Sequence, residues 1–249
     1  MQLIVNSLLS QYESVGQGKL VLLLHGWGDD HRSFAALQEQ LSNEYKILAL
    51  DLPGFGQTQA PDEVWDLDNY AKFVSAFLGK TGTEPYAIIG HSNGGAVVIR
   101  GIAEGILNCE KLVLLASAGI RDTQNSRRLM LKIIAKIGKV TTFWLPHRYR
   151  QTLRKKLYGV AGSDMLVAPQ LQETFKKTVR QDVQADAVKI QIPTLLIYGD
   201  NDSATPPAIG EKLASLIPNS ELQILTEAGH FVHHDQLEKV TGLIRKFLQ

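Results

Sequence analysis

The sequence has one cysteine, Cys109, and lacks any long uncharged apolar run. A single cysteine excludes an intrachain disulfide, and it excludes a metal site built from several thiolates of this chain. No apolar stretch reaches the roughly 18 residues that a membrane helix needs, so no transmembrane segment is predicted. Residues 1–10 are partly apolar but lack the basic flank and cleavage context of a secretion signal. We therefore predict that they form a first strand, and we expect a cytoplasmic protein.

The sequence also lacks an excess of either charge, because 26 Lys and Arg residues stand against 25 Asp and Glu residues. This balance gives no general attraction to nucleic acid, which we do not expect as a partner. With 44% hydrophobic and 20% charged residues over 249 positions, the composition is that of a globular protein. The length suits one large domain, or a core domain that carries a modest insertion.

Short apolar runs alternate along the chain with stretches of helical periodicity. This alternation predicts an α/β fold with a mostly parallel central sheet flanked by helices. The runs are nearly continuous, as expected for strands that helices cover on both faces. The predicted buried strands are 20–24, 47–50, 86–89, 112–115, 195–198 and 222–225. The predicted helices are 33–41, 67–78, 94–105, 207–216 and 236–248.

The alternation stops between Ala118 and Ile190, where amphipathic helical patterns occur without a convincing buried strand. We therefore predict a helical cap over residues 120–187, inserted into a core of residues 1–119 and 188–249. Apolar side chains recur in the cap at three- and four-residue spacing. They either line an acyl pocket or pack the cap against the core. The candidate substrate-binding residues are Met130, Ile133, Ile137, Phe143 and Trp144.

The strongest local pattern is Gly-x-Ser-x-Gly at residues 90–94, which follows a predicted strand and opens a predicted helix. In that context the pattern is typical of a nucleophile elbow, where a sharp turn presents the serine hydroxyl. Gly90 and Gly94 leave room for neighbouring backbone at the turn. The pattern thus predicts Ser92 as a nucleophile, and the alternative is a purely structural turn.

A second strand ends in the glycine-bearing loop His25-Gly26-Trp27. If the sheet brings this loop beside the elbow, the backbone N–H groups of Trp27 and Asn93 would form an oxyanion hole. The alternative is an ordinary turn between a strand and a helix. For His25 we favour a role in shaping the loop over proton transfer.

A serine nucleophile needs a base, and the base needs a carboxylate to orient it. His230 follows Gly229 just past the last strand, which favours it over His233 and His234; these two are expected at a helix start or on the surface. The stretch after the strand at 195–198 offers two carboxylates, Asp200 and Asp202. The order serine, acid, histidine is the one associated with this elbow.

With these motifs the chain resembles the α/β-hydrolase superfamily, in its capped, esterase-like branch, over almost its whole length. The resemblance implies that the acid is the Asp of Gly-x-x-Asp-x-x-x-Pro, which is Asp202 here. It also matches residues 51–56 to a family loop, in which we expect Asp51 to serve the turn. Because the elbow carries serine and not aspartate, the sequence departs from the epoxide hydrolase and haloalkane dehalogenase branches.

The resemblance implies a serine hydrolase that cleaves carboxylic esters of small to medium acyl chains through an acyl-enzyme on Ser92. The overall plan is similar to small carboxylesterases, to the esterase of a carrier-bound pimeloyl methyl ester, and to carbon-carbon bond hydrolases. The alternatives are therefore a carbon-carbon bond or lactone hydrolase with the same triad, or a hydrolase-fold ligand receptor with little turnover. No metal or organic cofactor is expected.

Charge is unevenly distributed between the predicted cap and core. Residues 121–186 hold 14 basic and 5 acidic residues, whereas the remainder holds 12 basic and 20 acidic residues. These cations either solvate the outer face of the cap helices or recruit an acidic partner or substrate. The acidic partner would be a carboxylate-bearing ester, an acyl carrier protein or an anionic membrane surface, and its association would weaken as salt rises.

Overall fold

The structure, a computed structural model, describes residues 1–121 and 171–249. Its centre is an eight-stranded sheet with the strand order β1-β2-β4-β3-β5-β6-β7-β8. Strands β3 to β8 run parallel, and β1 and β2 pair antiparallel at one edge. The strands are β1 (Gln2–Val5), β2 (Leu8–Val15), β3 (Leu20–Leu24), β4 (Lys46–Leu50), β5 (Ala87–His91), β6 (Lys111–Leu115), β7 (Thr194–Gly199) and β8 (Ser220–Leu225).

Helices flank the sheet, as the alternation of patterns predicts. A short 3-10 turn at His31–Phe34 precedes the first helix. Numbered over the described residues, the helices are α1 (Ala35–Leu41), α2 (Leu67–Thr81), α3 (Asn93–Ala103), α4 (Gln172–Thr178), α5 (Gln184–Ala187), α6 (Pro207–Leu216), α7 (Val232–Asp235) and α8 (Leu237–Leu248). In this part of the chain no helix is long and apolar enough to cross a membrane.

The hydrophobic core lies in two layers, one on each face of the sheet. Successive residues of a strand point to opposite faces, so Leu22 and Leu24 of β3 join one layer, and Val21 and Leu23 join the other. Helices α2 and α3 cover the first layer, and α1 and α8 cover the second. Double-sided coverage explains why the strands are apolar at consecutive positions.

The N-terminal segment differs from the prediction of one strand over residues 1–10. Val5 pairs with Leu8 across a two-residue turn, so the segment holds β1 and the start of β2. Asn6 and Ser7 have φ angles of 47° and 67°, the left-handed values of a type I′ hairpin turn. Asn tolerates that conformation, but Ser is an unusual second residue for it, so the sequence lacks the usual signal of such a turn.

Two short helices, α4 and α5, belong to the predicted cap. The backbone N–H of Trp65 donates to Thr174 Oγ1 at 3.1 Å, and Lys177 Nζ lies 2.9 Å from Asp66 Oδ2. Asp66 is also the N-cap residue of α2, so α4 rests on the start of that helix. The boundaries of the cap at residues 120 and 187 stay a prediction.

Candidate active site

Ser92 lies at the turn between β5 and α3. Its backbone has φ 49° and ψ −116°, a conformation that is rare and costly for a residue with a side chain. A Cβ on Gly94 would lie 2.3 Å from the carbonyl oxygen of Leu24, and a Cβ on Gly90 would lie 2.7 Å from Gly95 Cα. Neither contact is sterically allowed, so the turn needs glycine at both motif positions.

The structure brings Ser92, His230 and Asp202 together at the carboxyl edge of the sheet. Ser92 Oγ lies 2.9 Å from Nε2 of His230, and Nδ1 of the same ring lies 2.8 Å from Asp202 Oδ2. The two contacts form a continuous line of hydrogen bonds from hydroxyl to carboxylate. Such a line lets the imidazole accept the serine proton while the carboxylate stabilises the resulting cation.

Asp202, rather than Asp200, contacts the imidazole. Its Oδ1 accepts hydrogen bonds from the backbone N–H groups of Ala204 at 2.7 Å and Thr205 at 2.9 Å. Burial acts to raise the pKa of Asp202, but the hydrogen bond and charge of His230 and the hydrogen bonds from Thr205 outweigh it and lower that pKa. Asp202 therefore stays ionised at neutral pH, whereas Asp200 is exposed in the turn.

The hydrogen bond of Ser92 Oγ is to His230 and not to either of the two histidines that follow it. His233 and His234 belong to the short helix α7, as expected for a helix start. Of the two expected places, His233 has the helix start and not the surface: Phe34 and His91 pack against it, and its side chain is buried. Burial, with a smaller effect of the charges of His234 and His230, lowers the pKa of His233 to about 3.

The loop after β3 lies directly against the elbow. β3 pairs with β5, and a Cβ on Gly26 would lie 3.1 Å from Ser92 Cβ. Trp27 follows in this loop, and Asn93 is the first residue of α3, where backbone N–H groups have no partner inside the helix. Both residues are about nine-tenths buried. Their role as oxyanion donors stays a prediction.

His25 shapes this loop in the way that the sequence favours. Its Nε2 accepts a hydrogen bond from the backbone N–H of Leu52 at 2.9 Å, so the ring proton is on Nδ1, which donates to the Gly26 carbonyl at 2.7 Å. Burial lowers the pKa of His25, although the Gly26 hydrogen bond and nearby aspartates oppose that effect. Both nitrogens of the neutral imidazole are thus hydrogen-bonded to backbone atoms, and the ring stabilises the conformation of the loop.

His91, between the first glycine and the serine of the motif, was missed by sequence reasoning. Its Nε2 lies 3.0 Å from the backbone carbonyl oxygen of His230, and the two rings are 4.9 Å apart. Burial and the charges of His233 and His230 hold the pKa of His91 well below its ordinary value. A neutral His91 can donate its Nε2 proton to that carbonyl and so help to hold the loop of His230.

An aromatic cluster lines the loop on the side of the predicted cap. The Trp27 ring lies 4.8 Å from Phe55 and 5.0 Å from Phe175 of α4, measured between centroids. Phe231, beside His230, is 39% exposed.

The candidate substrate-binding residues predicted from the sequence lie outside the described residues. They are Met130, Ile133, Ile137, Phe143 and Trp144.

Asp51 serves a turn, as expected, and does not reach the Ser92 site through any of its hydrogen bonds. Its carboxylate accepts from the backbone N–H of His31 at 2.8 Å, from His31 Nδ1 at 2.6 Å and from the backbone N–H of Gln57 at 2.9 Å. Asp30, His31 and Asp51 have ligand atoms within 4.8 Å of one another. Asp30 is itself bonded to Arg32, so internal hydrogen bonds already use these oxygens.

Comparison with known proteins gives matches along nearly the full chain. A family model described as the alpha/beta hydrolase family matches residues 21–242. The AB hydrolase superfamily protein YisY of Bacillus subtilis is 26% identical over 272 residues, covering 94% of this chain and 93% of that protein. The pimeloyl-[acyl-carrier protein] methyl ester esterase of Neisseria meningitidis is 28% identical over 246 residues, covering 93% of this chain and 77% of that protein.

Solved structures show the same fold. A thermophilic esterase from Thermogutta terrifontis superposes with a TM-score of 0.76 at 23% identity, covering 100% of this chain and 97% of the other. At that identity the likeness concerns the fold alone.

Proposed function

The chain belongs to the alpha/beta hydrolase family, and we propose that it is a serine hydrolase of carboxylic esters with small to medium acyl chains. The catalytic residues in this proposal are Ser92, His230 and Asp202. The single observation that supports it most is the line of hydrogen bonds from Ser92 Oγ through both nitrogens of His230 to Asp202 Oδ2. That arrangement activates a hydroxyl at neutral pH.

The first half of the reaction transfers the acyl group to the enzyme. Ser92 Oγ attacks the ester carbonyl carbon while His230 Nε2 takes the hydroxyl proton. The tetrahedral intermediate places its negative charge on the former carbonyl oxygen, where we assign the N–H groups of Trp27 and Asn93 as donors. The intermediate collapses by breaking the bond to the alkoxy group, which leaves as an alcohol with the proton from His230.

The second half releases the acid. Water attacks the acyl-enzyme carbonyl, and His230 takes a proton from that water. The second tetrahedral intermediate collapses, its bond to Ser92 Oγ breaks, and His230 returns the proton to the serine. Asp202 stays ionised throughout and stabilises the imidazolium, in keeping with its lowered pKa.

Support for an ester as the substrate comes from the relatives. The Neisseria meningitidis protein is named for a methyl ester of a carrier-bound acyl group. The same triad chemistry would open a lactone, which is an internal ester. A carbon-carbon bond hydrolase and a receptor with little turnover remain the alternatives, and a panel of esters, lactones and diketones separates them by rate.

The test compares the loss of the proposed nucleophile, Ser92, with the loss of a neighbouring buried serine, Ser117. We expect Ser92→Ala to lower the turnover of p-nitrophenyl esters by roughly 10⁴-fold or more, because the base is left without a nucleophile. Ser117→Ala is the matched control: Ser117 is buried, its hydroxyl oxygen lies against Gly95 just after the elbow, and its hydroxyl donates to the Ala118 carbonyl. Its turnover should stay near that of the wild type. Equal turnover in the wild type and Ser92→Ala, with both proteins folded by their melting curves, would reject the proposal.

A further inference from the structure

Thr205 lies three residues after Asp202, and sequence reasoning assigned it no role. Its side chain is buried, and its hydroxyl oxygen has three polar neighbours. Asp202 Oδ2 lies at 2.7 Å, the backbone carbonyl oxygen of Ala116 at 2.9 Å, and His230 Nδ1 at 3.1 Å. The hydroxyl thus contacts both members of the pair that would activate Ser92.

The protons available to these groups determine the direction of each hydrogen bond. A hydroxyl has one proton to donate, and its lone pairs accept. The carboxylate of Asp202 and the carbonyl of Ala116 can only accept, so the Thr205 proton lies between these two, and the charged oxygen is the stronger acceptor. His230 Nδ1 carries a proton when Nε2 faces the Ser92 hydroxyl as a base. Thr205 Oγ1 and Asp202 Oδ2 therefore share that Nδ1 proton.

The backbone of Thr205 donates a second hydrogen bond to the carboxylate of Asp202. Its N–H donates to Asp202 Oδ1 at 2.9 Å while the hydroxyl engages Oδ2. Both carboxylate oxygens are thus bound by one residue, which fixes the rotation of the carboxylate plane. An oriented carboxylate in turn fixes the imidazole, because its Oδ2 binds Nδ1 at 2.8 Å.

Ala116 connects this arrangement to the nucleophile. It follows β6 with φ 44°, a left-handed value that is uncommon for a residue with a side chain. Its neighbour Leu115 accepts the backbone N–H of Ser92 at 3.0 Å, and Ala118 donates to the Ser92 carbonyl at 3.0 Å. The Thr205 hydroxyl, bound to the Ala116 carbonyl, therefore ties the acid loop to the segment that borders the elbow.

We propose that Thr205 is a positioning residue of this site: its hydroxyl orients the Asp202 carboxylate and shares the Nδ1 proton of His230, so that Nε2 faces Ser92. The inference rests on the proposed function. The positioning role belongs to the hydroxyl of Thr205 and not to its methyl group.

The experiment compares Thr205→Val, which keeps the shape but removes the hydroxyl, with Thr205→Ser, which keeps the hydroxyl. Each is made in the wild type and in an Asp202→Asn background. The readouts are kcat and KM for a p-nitrophenyl ester, and the rate at which a fluorophosphonate labels Ser92. A lost hydrogen bond to a charged group predicts a fall in kcat and labelling rate of about tenfold to a hundredfold in Thr205→Val, with KM unchanged. Thr205→Ser should restore both rates to within about threefold of the wild type.

The Asp202→Asn background distinguishes positioning from packing. If Thr205 acts mainly through the carboxylate, Thr205→Val should lower the labelling rate by a clearly smaller factor in that background than in the wild type, because coupled residues are not additive. The direct contact of its hydroxyl with His230 Nδ1 leaves a small remaining effect. An equal loss in both backgrounds, a Thr205→Ser variant no better than Thr205→Val, or an unchanged kcat in Thr205→Val would each overturn the inference. Thr205→Cys, of similar size and with a weak donor, replaces Thr205→Val if the latter fails to fold.

The result also separates this inference from the proposed function. A wild-type protein that neither hydrolyses esters nor labels at Ser92 rejects both. A wild-type protein that labels at Ser92, with Thr205→Val labelling at the same rate, rejects the role of Thr205 alone.

Discussion

At the scale of residues, the site is surrounded by buried histidines that are held neutral. His25 holds the loop after β3, His91 contacts the backbone of His230, and His233 packs against Phe34. Burial lowers the pKa of all three, foremost among the causes in each case. An imidazole that is neutral when folded but protonated when unfolded makes the folded state less stable as pH falls.

The sign of this linkage gives a prediction for His233. Its folded pKa of about 3 lies below the ordinary value near 6.5, so between these values the unfolded chain binds a proton that the folded chain does not. Replacing His233 by Leu should therefore flatten the dependence of unfolding free energy on pH by up to about 1.4 kcal/mol per pH unit between about pH 6 and pH 4.

Urea unfolding of the wild type and His233→Leu at several pH values measures this slope. The difference between the two proteins isolates His233, because the other titrating groups are common to both. Parallel curves over that pH range would show that His233 does not change its protonation on unfolding.

Candidate residues with local motifs could be selected from the sequence alone. Ser92 lies in a five-residue pattern, and His230 follows a glycine just past a strand. The choice between Asp202 and Asp200 rested on the family resemblance, since both follow the same strand. Thr205 and His91 could not be assigned, because their contacts join loops that are distant in the sequence: Thr205 Oγ1 meets Ala116 O and His91 Nε2 meets His230 O.

At the scale of elements, the turn from β5 to α3 depends on close approach of backbone. The Gly94 Cα lies against the end of β3, at the carbonyl oxygens of Leu24 and His25. The loop His25-Gly26-Trp27 therefore packs directly against the start of α3. Any side chain at position 94 must push the two elements apart.

A pair of glycine substitutions tests that dependence. Gly94→Ala should lower the unfolding free energy by about 1–3 kcal/mol, because its Cβ would meet the Leu24 carbonyl oxygen at 2.3 Å. Ester turnover should fall with it, because the loop of Trp27 must shift. Gly79→Ala in α2, where a Cβ meets nothing within 4 Å, should instead raise the unfolding free energy by about 0.5–1 kcal/mol.

Denaturant unfolding and turnover of both variants check this pair. Gly79→Ala controls for the general effect of adding a methyl group to a helix. A Gly94→Ala protein as stable and as active as the wild type would contradict the close packing of α3 on the end of β3.

Elements with strong patterns were predicted well, and the hairpin at the N-terminus was not. The predicted helix 207–216 coincides with α6, which begins at a proline. The six predicted strands all occur, within two residues at each end, but β8 is an edge strand in which only Leu225 is buried, so its predicted burial was wrong. Nearly continuous apolar runs or characteristic terminal residues mark these elements in the sequence. The turn at Asn6 and Ser7 lacks the glycine that usually marks a two-residue hairpin, so one strand was predicted in place of two.

At the scale of the molecule, the parallel sheet is what assembles the site. The loops after β5, β7 and β8 carry Ser92, Asp202 and His230, and all three open at the same edge because these strands are parallel. The alternation of strands and helices predicted this architecture. The predicted cap over residues 120–187 stays a prediction, as do both explanations of its charge, solvation of the outer face and recruitment of an acidic partner or substrate. Most of the basic residues concerned lie in 122–170, outside the described ranges.

Covalent labelling of the folded protein by a fluorophosphonate, followed by intact mass and peptide mapping, tests directly whether Ser92 is an activated nucleophile. We expect one adduct, located on Ser92, that is absent in Ser92→Ala and retained in Ser117→Ala. We also expect His230→Gln to slow the labelling by at least about a hundredfold, because the hydroxyl loses its base. An unlabelled wild-type protein, an adduct on another residue, or a His230→Gln rate equal to that of the wild type would show that His230 does not activate Ser92.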